Sequence, residues 1–485
     1  MFKTINIVSK LYNKSEGDKF LKSNKSCNCS YCINNSEFDM PDEIVEAALS
    51  KNLVLFCGAG ISTESKLVLK SSLYTDIFNE LKNRSAIKSD LDLSFSKLMS
   101  LYTNTFFKGR QKLLIKIKER FDYIKSFPQL LDIATRFHRE VSANPYIETI
   151  ITTNWDTYFE DFCDCSPIVN DKDCSLWDAF TKRVFKVHGS INNVASIVAT
   201  EEDYEDSYQN LANNLTGSML KSLLASKTVV FIGFSFGDED LNKLFDILKE
   251  KLGNMSNQFY LVTVDKNWEN NEDKVIIPII TDGTYFVHQL NNILIDRGKL
   301  FSKELYNYAE ELLNIKKNQH NEIINSSVFF KDIDQYPELL LSIAYQDGII
   351  HALEHCIANR NKGDYLIPGY LEQKIALLKK YYSYSLENEE YDSIYFNFGY
   401  LTVLISLLQY ISSNELEKIF MFKLGEKYFE TKDELFNDLQ NGRDKNRFEY
   451  CLNIVNNLNN TVPNFEPWLI WNDYNLIKIN SKSCI

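Results

Sequence analysis

Four short segments of the chain concentrate residue types that can hold an anion, orient a water or move a proton. The first is Cys57-Gly58-Ala59-Gly60-Ile61-Ser62. A Gly-Ala-Gly turn has almost no side chain to keep a phosphate away, so its amides and a following helix N-terminus can form an anion cradle, with Ser62 adding a hydroxyl donor. The same letters also make a tight strand-to-helix turn with no ligand. The second segment is Thr152-Thr153-Asn154-Trp155-Asp156. Asn154 donates and accepts at once, which suits a ribose hydroxyl or a water. Asp156 is an acceptor for a substrate amide or hydroxyl, or the Asx cap of a helix over 156–162, the structural role being the one its position favours.

The third segment is Lys186-Val187-His188-Gly189-Ser190. A neutral imidazole is the usual general base near pH 7, and Gly189 lets the backbone come close to a ligand. A lone histidine is more often a satisfied core or surface residue; the place of His188, level with the other segments, argues for function. The fourth is Gly233-Phe234-Ser235-Phe236-Gly237-Asp238-Glu239-Asp240. It offers backbone amides and Ser235 to a ribose or phosphate, while Asp238 or Asp240 suits the cap of a helix over 239–251. Further on, Asp265 closes an apolar run and is a candidate acceptor for an adenosine ribose, as in dinucleotide folds.

These segments need a scaffold that brings them together. Apolar runs at 53–57, 148–152, 184–187, 229–232 and 259–264 read as strands buried on both faces, with 285–288 as a last one. Between them, 96–107, 110–124, 128–141, 204–225 and 239–251 have helical periodicity. Strands alternating with helices imply parallel pairing, hence an α/β domain, a Rossmann-like doubly wound sheet over 39–298. In such a sheet, ligands bind at the carboxyl ends of the strands, where all four segments fall. Residues 1–38 read as an irregular arm. Beyond 299 the strand signal stops, and 305–313, 335–359, 370–384, 391–411, 416–432 and 447–458 read as amphipathic helices, giving an α-helical domain to 485 with no fixed repeat. An apolar stretch, Pro467-Trp468-Leu469-Ile470-Trp471, is suited to docking on the body or on another subunit.

Composition bounds the chemistry. The 485 residues are 44% hydrophobic and 25% charged, ordinary for a globular chain, with a net charge of −13. That balance argues against general nucleic-acid binding, which needs basic surface. The longest apolar run, 229–236, is too short to span a bilayer, and the start of the chain lacks an apolar signal core. Ten cysteines without such a signal imply reduced thiols in a cytoplasmic protein. Cys27, Cys29 and Cys32 are the one spacing that suggests a metal, but the triplet lacks a fourth ligand and does not match paired zinc knuckles, so no metal is expected.

Taken in order, GAGIS, TTNWD, HG and GFSFGDxDL resemble the SIR2 (sirtuin) superfamily over roughly 40–290. The resemblance implies an NAD-binding Rossmann-like domain that breaks the nicotinamide–ribose bond. By that likeness Asn154 and His188 match the positions carrying cleavage. Gly58, Ala59, Gly60, Ile61 and Ser62 would hold the pyrophosphate. Thr153 and Asp156 would contact the substrate, and Gly233, Ser235 and Asp265 would lie near the adenosine.

Departures select a branch. Protein-deacylating sirtuins carry a zinc module of paired cysteines after the histidine, yet no cysteine occurs between Cys174 and Cys356. The loop Thr63-Glu64-Ser65-Lys66-Leu67 also differs from that of deacylases. What remains resembles bacterial antiphage-defence SIR2-like proteins, which hydrolyse NAD once infection is sensed. The expectation is an NAD glycohydrolase releasing nicotinamide and ADP-ribose, using NAD as substrate and no separate cofactor. The same likeness implies a homo-oligomer or a partner protein such as a sensor or ATPase, with a phage-derived trigger. The alternatives are a module that binds NAD or ADP-ribose without turnover, which would need neither Asn154 nor His188, and a deacylase, which the missing zinc module opposes.

Overall fold

The computed structural model describes residues 34–62, 68–84, 86–87, 93–234, 259–268, 276–324, 329–409 and 419–461. They form two compact units, one from 34–297 with 361–363, the other from 298–360 with the residues from 364 onward.

The first unit is built on seven strands. β1 (Leu53–Cys57) is apolar throughout and buried at all five positions. It lies between β2 (Thr149–Thr152) and β5 (Thr228–Ile232). With β3 (Ser166–Ile168), β4 (Arg183–Lys186), β6 (Phe259–Thr263) and β7 (Ile276–Ile280) the order is β3-β4-β2-β1-β5-β6-β7, and every pairing is parallel. This is the Rossmann-like sheet the sequence implies. Strands 1, 2 and 5 lack the hydrophobic–polar alternation of a solvated sheet because helices cover both faces. One face packs Val54, Phe56, Ile151, Val229 and Phe231 against Leu220 and Leu224 of the helix Leu215–Ser226. A separate cluster joins the helices Leu73–Asn83, Phe95–Thr105 and Gly109–Ser126 through Ile77, Leu98, Tyr102 and Ile117.

Several expectations need correction. Residues 285–288 are not a strand: they lie in the helix Gly283–Asp296, and the last strand is β7. A short apolar run does not distinguish a buried helix from a strand. Here Asp282 decides, its carboxylate accepting from Thr284 N and Tyr285 N as an N-cap. β7 is the edge strand, where Pro278 is tolerated because one side of an edge strand needs no ladder donor. The helix expected over 204–225 is two, Glu201–Asn213 and Leu215–Ser226, broken at Asn214 in an extended conformation (ψ 169°). That over 128–141 breaks at Thr135. Of the N-terminal arm, residues 34–38 pack on the end of the sheet: Ser36 O accepts from Thr281 Oγ1 at 2.9 Å, and Phe38 stacks on Phe286 at 5.9 Å. The expected helix at 239–251 and the apolar stretch 467–471 lie outside the described residues.

The second unit is helical, with long helices at Glu304–Ile324, Leu339–Ala358, Pro368–Glu387, Tyr391–Gln409 and Lys445–Thr461. The helix expected over 416–432 is contradicted where residues are described: β8 (Phe422–Leu424) and β9 (Lys427–Phe429) form an antiparallel hairpin, followed by the helix Lys432–Asn441. Gly425 at φ +59° makes the turn, which overrides the apolar spacing around it.

Candidate functional site at the carboxyl edge of the sheet

β1 is where the chain reverses its progress across the sheet, running to β2 on one side and returning to β5 on the other. Loops leaving a parallel sheet at such a point diverge and open a crevice. Here the loops after β1 and β5 interlock. Gly58 N donates to Ile232 O at 2.9 Å and Gly60 N to Gly233 O at 3.1 Å. A Cβ on Gly58 would lie 2.3 Å from Gly233 O, and one on Gly233, at φ +64°, 2.7 Å from Ile61 N. Glycine is required at both positions for backbone to meet backbone.

This contact revises the expected anion cradle. Gly58 and Gly60 spend their amides on the β5 turn, Ile61 N donates to Gly58 O and Ser62 N to Ala59 O. The turn is a single 3-10 turn, Ala59–Ile61, rather than the start of a long helix. Ala59 N is the amide of this turn left without an acceptor among the described residues. Ser62 is also turned to another task. Fully buried, its hydroxyl donates to Asp156 Oδ2 at 3.0 Å rather than standing open to a phosphate.

Asp156 fills both roles open to it. Its Oδ1 accepts from Tyr158 N at 3.1 Å, closing an Asx turn ahead of the helix Tyr158–Cys163, while Oδ2 takes Ser62. The turn that carries Asn154 is anchored at its start as well. Thr152 Oγ1 donates to Cys57 O at 2.9 Å and accepts from Asn154 N at 3.0 Å, and Thr153 N donates to Cys57 O. Asn154 Nδ2 reaches Ser62 Oγ at 3.4 Å. Asn154 Oδ1 is buried and has no hydrogen-bond partner among the described residues. A buried amide oxygen left unpaired is rare and costly, so it marks a place where a donor is missing.

His188 lies on the adjoining strand end. β2 and β4 pair with Thr152 opposite Lys186, and Val187 N continues the ladder to Thr152 O at 2.9 Å. Asn154 and His188 each stand two residues beyond that pair, on neighbouring strands. His188 is buried, with Tyr204 edge-on at 5.2 Å, and its carbonyl accepts from Val198 N.

Besides a cavity of about 260 Å³ that touches Asp156 and Thr157, two cavities lie along this edge. One of about 200 Å³ is lined by Gly60, Ile61, Gly233, Arg136, Asp282 and Thr284. Arg136 Nη2 pairs there with Asp282 Oδ1 at 3.1 Å. Asp265, the acid expected on this side, is exposed and outside the lining; its Oδ1 accepts from Asn267 N in a local turn. The other, of about 750 Å³, runs past Lys186, Val187 and Gly189 to the helix Glu201–Asn213. Two of its acids, Asp203 and Asp171, are structurally occupied. Asp203 completes a capping box with Thr200 and pairs with Arg110 at 2.6 Å, and Asp171 accepts from Thr216 N and Oγ1. Ser235 lies outside the described residues, as do Cys27, Cys29 and Cys32.

Three residues near the site went unassigned from sequence. Lys186 is almost wholly buried, donates to Asp156 O and pairs with Glu160 Oε1 at 3.0 Å. Burial pushes the Glu160 carboxyl up, against the pull of Lys186. A lysine inside the apolar run of β4 was the signal. His138, in a cage of Phe137, Tyr158 and Phe159, is lowered by burial to about 4 and is neutral. No cluster of three or more His, Cys, Asp or Glu suited to a metal occurs among the described residues, and no described helix is long and apolar enough to cross a membrane.

The chain is similar to known proteins over part of its length. Residues 148–276 match the model of the SIR2-like domain. The chain is 27% identical over 302 residues to the NAD(+) hydrolase ThsA of Enterococcus faecium (61% of this chain, 55% of that protein). It is 31% identical over 226 residues to the ThsA of Cytobacillus dafuensis (45% and 42%). It is 24% identical over 315 residues to defense-associated sirtuin 2 of Bacillus subtilis (63% and 28%). The chain thus spans little more than half, or less, of the length of these relatives. On the sheet, the motif order and these matches, the first unit is similar to the SIR2-like domain, whose model matches residues 148–276.

Proposed function

We propose that the chain is an NAD+ glycohydrolase, converting NAD+ and water to nicotinamide, ADP-ribose and a proton, and that it acts as an antiphage effector by depleting NAD. The observation that carries the reading is the buried, unpaired Asn154 Oδ1 two residues past β2, level with His188 past β4. The C1′–N bond of NAD+ breaks to release nicotinamide as a neutral group, so no strong acid is needed. The protein has to stabilise an oxocarbenium-like ribose and position the water. In this reading Asn154 Oδ1 accepts from a ribose hydroxyl or from the water. His188 takes a proton from that water or hydroxyl, a role typically worth ~10²–10⁴-fold in rate. The glycine turns let the pyrophosphate approach backbone, with Ala59 N as donor, and the cavity beside Gly233, Arg136 and Asp282 takes the adenosine side.

The names of the relatives support the substrate and the defence setting. The helical residues 299–485 are assigned, in the same reading, to sensing the trigger or to holding other copies of the chain or a partner. The test is to incubate the protein with NAD+ and follow nicotinamide by chromatography. Wild type is expected to release it, with Asn154→Ala and His188→Ala reduced at least ~10²-fold. Release that survives both substitutions overturns the assignment of these two residues.

A further inference from the structure

We propose that Lys186 is a positioning residue, strapping the 154–156 turn to the end of β4 so that Asn154 and His188 are presented as one unit. The inference rests on the hydrolase reading for what the unit does, and on geometry for the strap itself.

Lys186 is the last residue of β4 and its side chain is 1% exposed. Burying an ammonium costs free energy that a leucine at this sheet position would not incur, unless the charge finds fixed partners. Its partners are specific: Nζ donates to the backbone oxygen of Asp156 and to Glu160 Oε1. Asp156 O ends the turn that begins at Thr152, and Glu160 belongs to the helix which that turn starts. The next residue, Val187, donates its amide to Thr152 O. Lys186 and the residue after it therefore grip the turn at both ends, one through an ammonium and one through a backbone amide, with Asn154 between the grips. The residue after Val187 is His188. A displacement of either strand end is transmitted to the other by these two attachments, and a misplacement of about 1 Å at a reacting centre can cost ~10²-fold in rate. Lysine suits the place because its compact head, on a flexible stem, serves two acceptors in different directions.

The competing explanation is that Lys186 only balances the buried Glu160 carboxylate. Removing both charges separates the two. Lys186→Met alone leaves Glu160 unpaired and can fail to fold; Lys186→Met/Glu160→Gln has no such orphan and is the deciding variant. The full chain is labelled with 5-fluorotryptophan, and the ¹⁹F resonance of Trp155, which sits inside the turn, is assigned by Trp155→Phe among the five tryptophans. The expected result is a double variant that melts within a few degrees of wild type, with the Trp155 resonance shifted or broadened and the other four unmoved. Its kcat for nicotinamide release is expected to fall about 10²-fold, with KM within about threefold of wild type. A Trp155 resonance at its wild-type position in the folded double variant overturns the proposal, as does wild-type turnover. The resonance decides the strap whether or not the wild-type chain releases nicotinamide; no release from wild type counts against the hydrolase reading alone.

Discussion

Asn154 donates to Ser62 through Nδ2 at 3.4 Å, and the direction of that bond is dictated from the far side of Ser62. The serine has one hydrogen and gives it to Asp156 Oδ2 at 3.0 Å. Its oxygen can then only accept from the asparagine, so the amide nitrogen faces Ser62 and Oδ1 is turned away from it. Asp156 thereby sets the orientation of a side chain it does not touch, and the unpaired atom of Asn154 is a consequence of the network.

Ser62→Ala tests this directly. It leaves Asp156 Oδ2 buried without its donor, which costs about 1–3 kcal/mol, and frees the Asn154 amide to flip. The expected outcome is a lower melting temperature and nicotinamide release reduced about tenfold. Asn154→Ala removes a weak bond and an already unpaired atom, so it should change the melting temperature less than Ser62→Ala while abolishing more of the activity. Calorimetry and nicotinamide release on the two variants check the crossed order.

Gly58→Ala probes the interlocked turns. Gly58 sits at φ −101° and ψ 178°, a conformation alanine adopts freely, so any loss comes from the overlap at 2.3 Å with Gly233 O and not from strained dihedrals. The overlap is with backbone and cannot be relieved by a rotamer change. NAD+ binding measured by titration calorimetry should be lost even in variant protein that remains folded by circular dichroism.

On the adenosine side, Asp282→Ala and Asp265→Ala should differ. Asp282 lines the cavity, pairs with Arg136 and caps a helix, so its loss should raise KM for NAD+ roughly tenfold and cost about 1 kcal/mol as a cap. Asp265 is exposed and serves only a local turn, so its replacement should change neither by more than experimental scatter. Steady-state kinetics and thermal unfolding on both variants check this.

His138 makes the first unit sensitive to mild acid. Its folded pKa of about 4 lies below the ordinary 6.5, because burial disfavours the imidazolium. Between these values the unfolded chain binds the proton and the folded one does not, so stability falls as pH drops from about 6.5 toward 4. The slope approaches 1.4 kcal/mol per pH unit, or roughly 3 kcal/mol across the window. Glu160, whose carboxyl is raised, acts in the opposite sense above 4.5. His138→Phe, into a cage that is already aromatic, should flatten the difference in urea midpoint between pH 7.5 and pH 5 relative to wild type.

The sheet was legible because four of its strands are short apolar runs each ended by glycine or polar residues, a pattern that few other structures produce. Of the elements that escaped, β3 and β7 were not read as strands at all, and two others were decided by single residues against the prevailing pattern. Asp282 turned an apolar run into a helix, and Gly425 turned a helical one into a hairpin. The placement of Asn154, His188 and Gly233 at one edge was readable from their position after strands, since topology alone sends such residues there. The fate of Ser62 was not, because its partner lies 94 positions along the chain. Lys186 was quoted within its motif without a role, as a charge in a strand can equally face solvent; only the packing of β4 shows that it does not.

The interlocking of Gly58 with Gly233 also has a bearing on how the molecule comes into being. The two turns are far apart in sequence, and neither has its final neighbours until the other arrives. During synthesis the first glycine turn lacks the acceptors of the Gly58 and Gly60 amides until residues 232–233 have been made. For a chain proposed to consume a metabolite its own cell depends on, a copy that stops short of β5 lacks one wall of the proposed site.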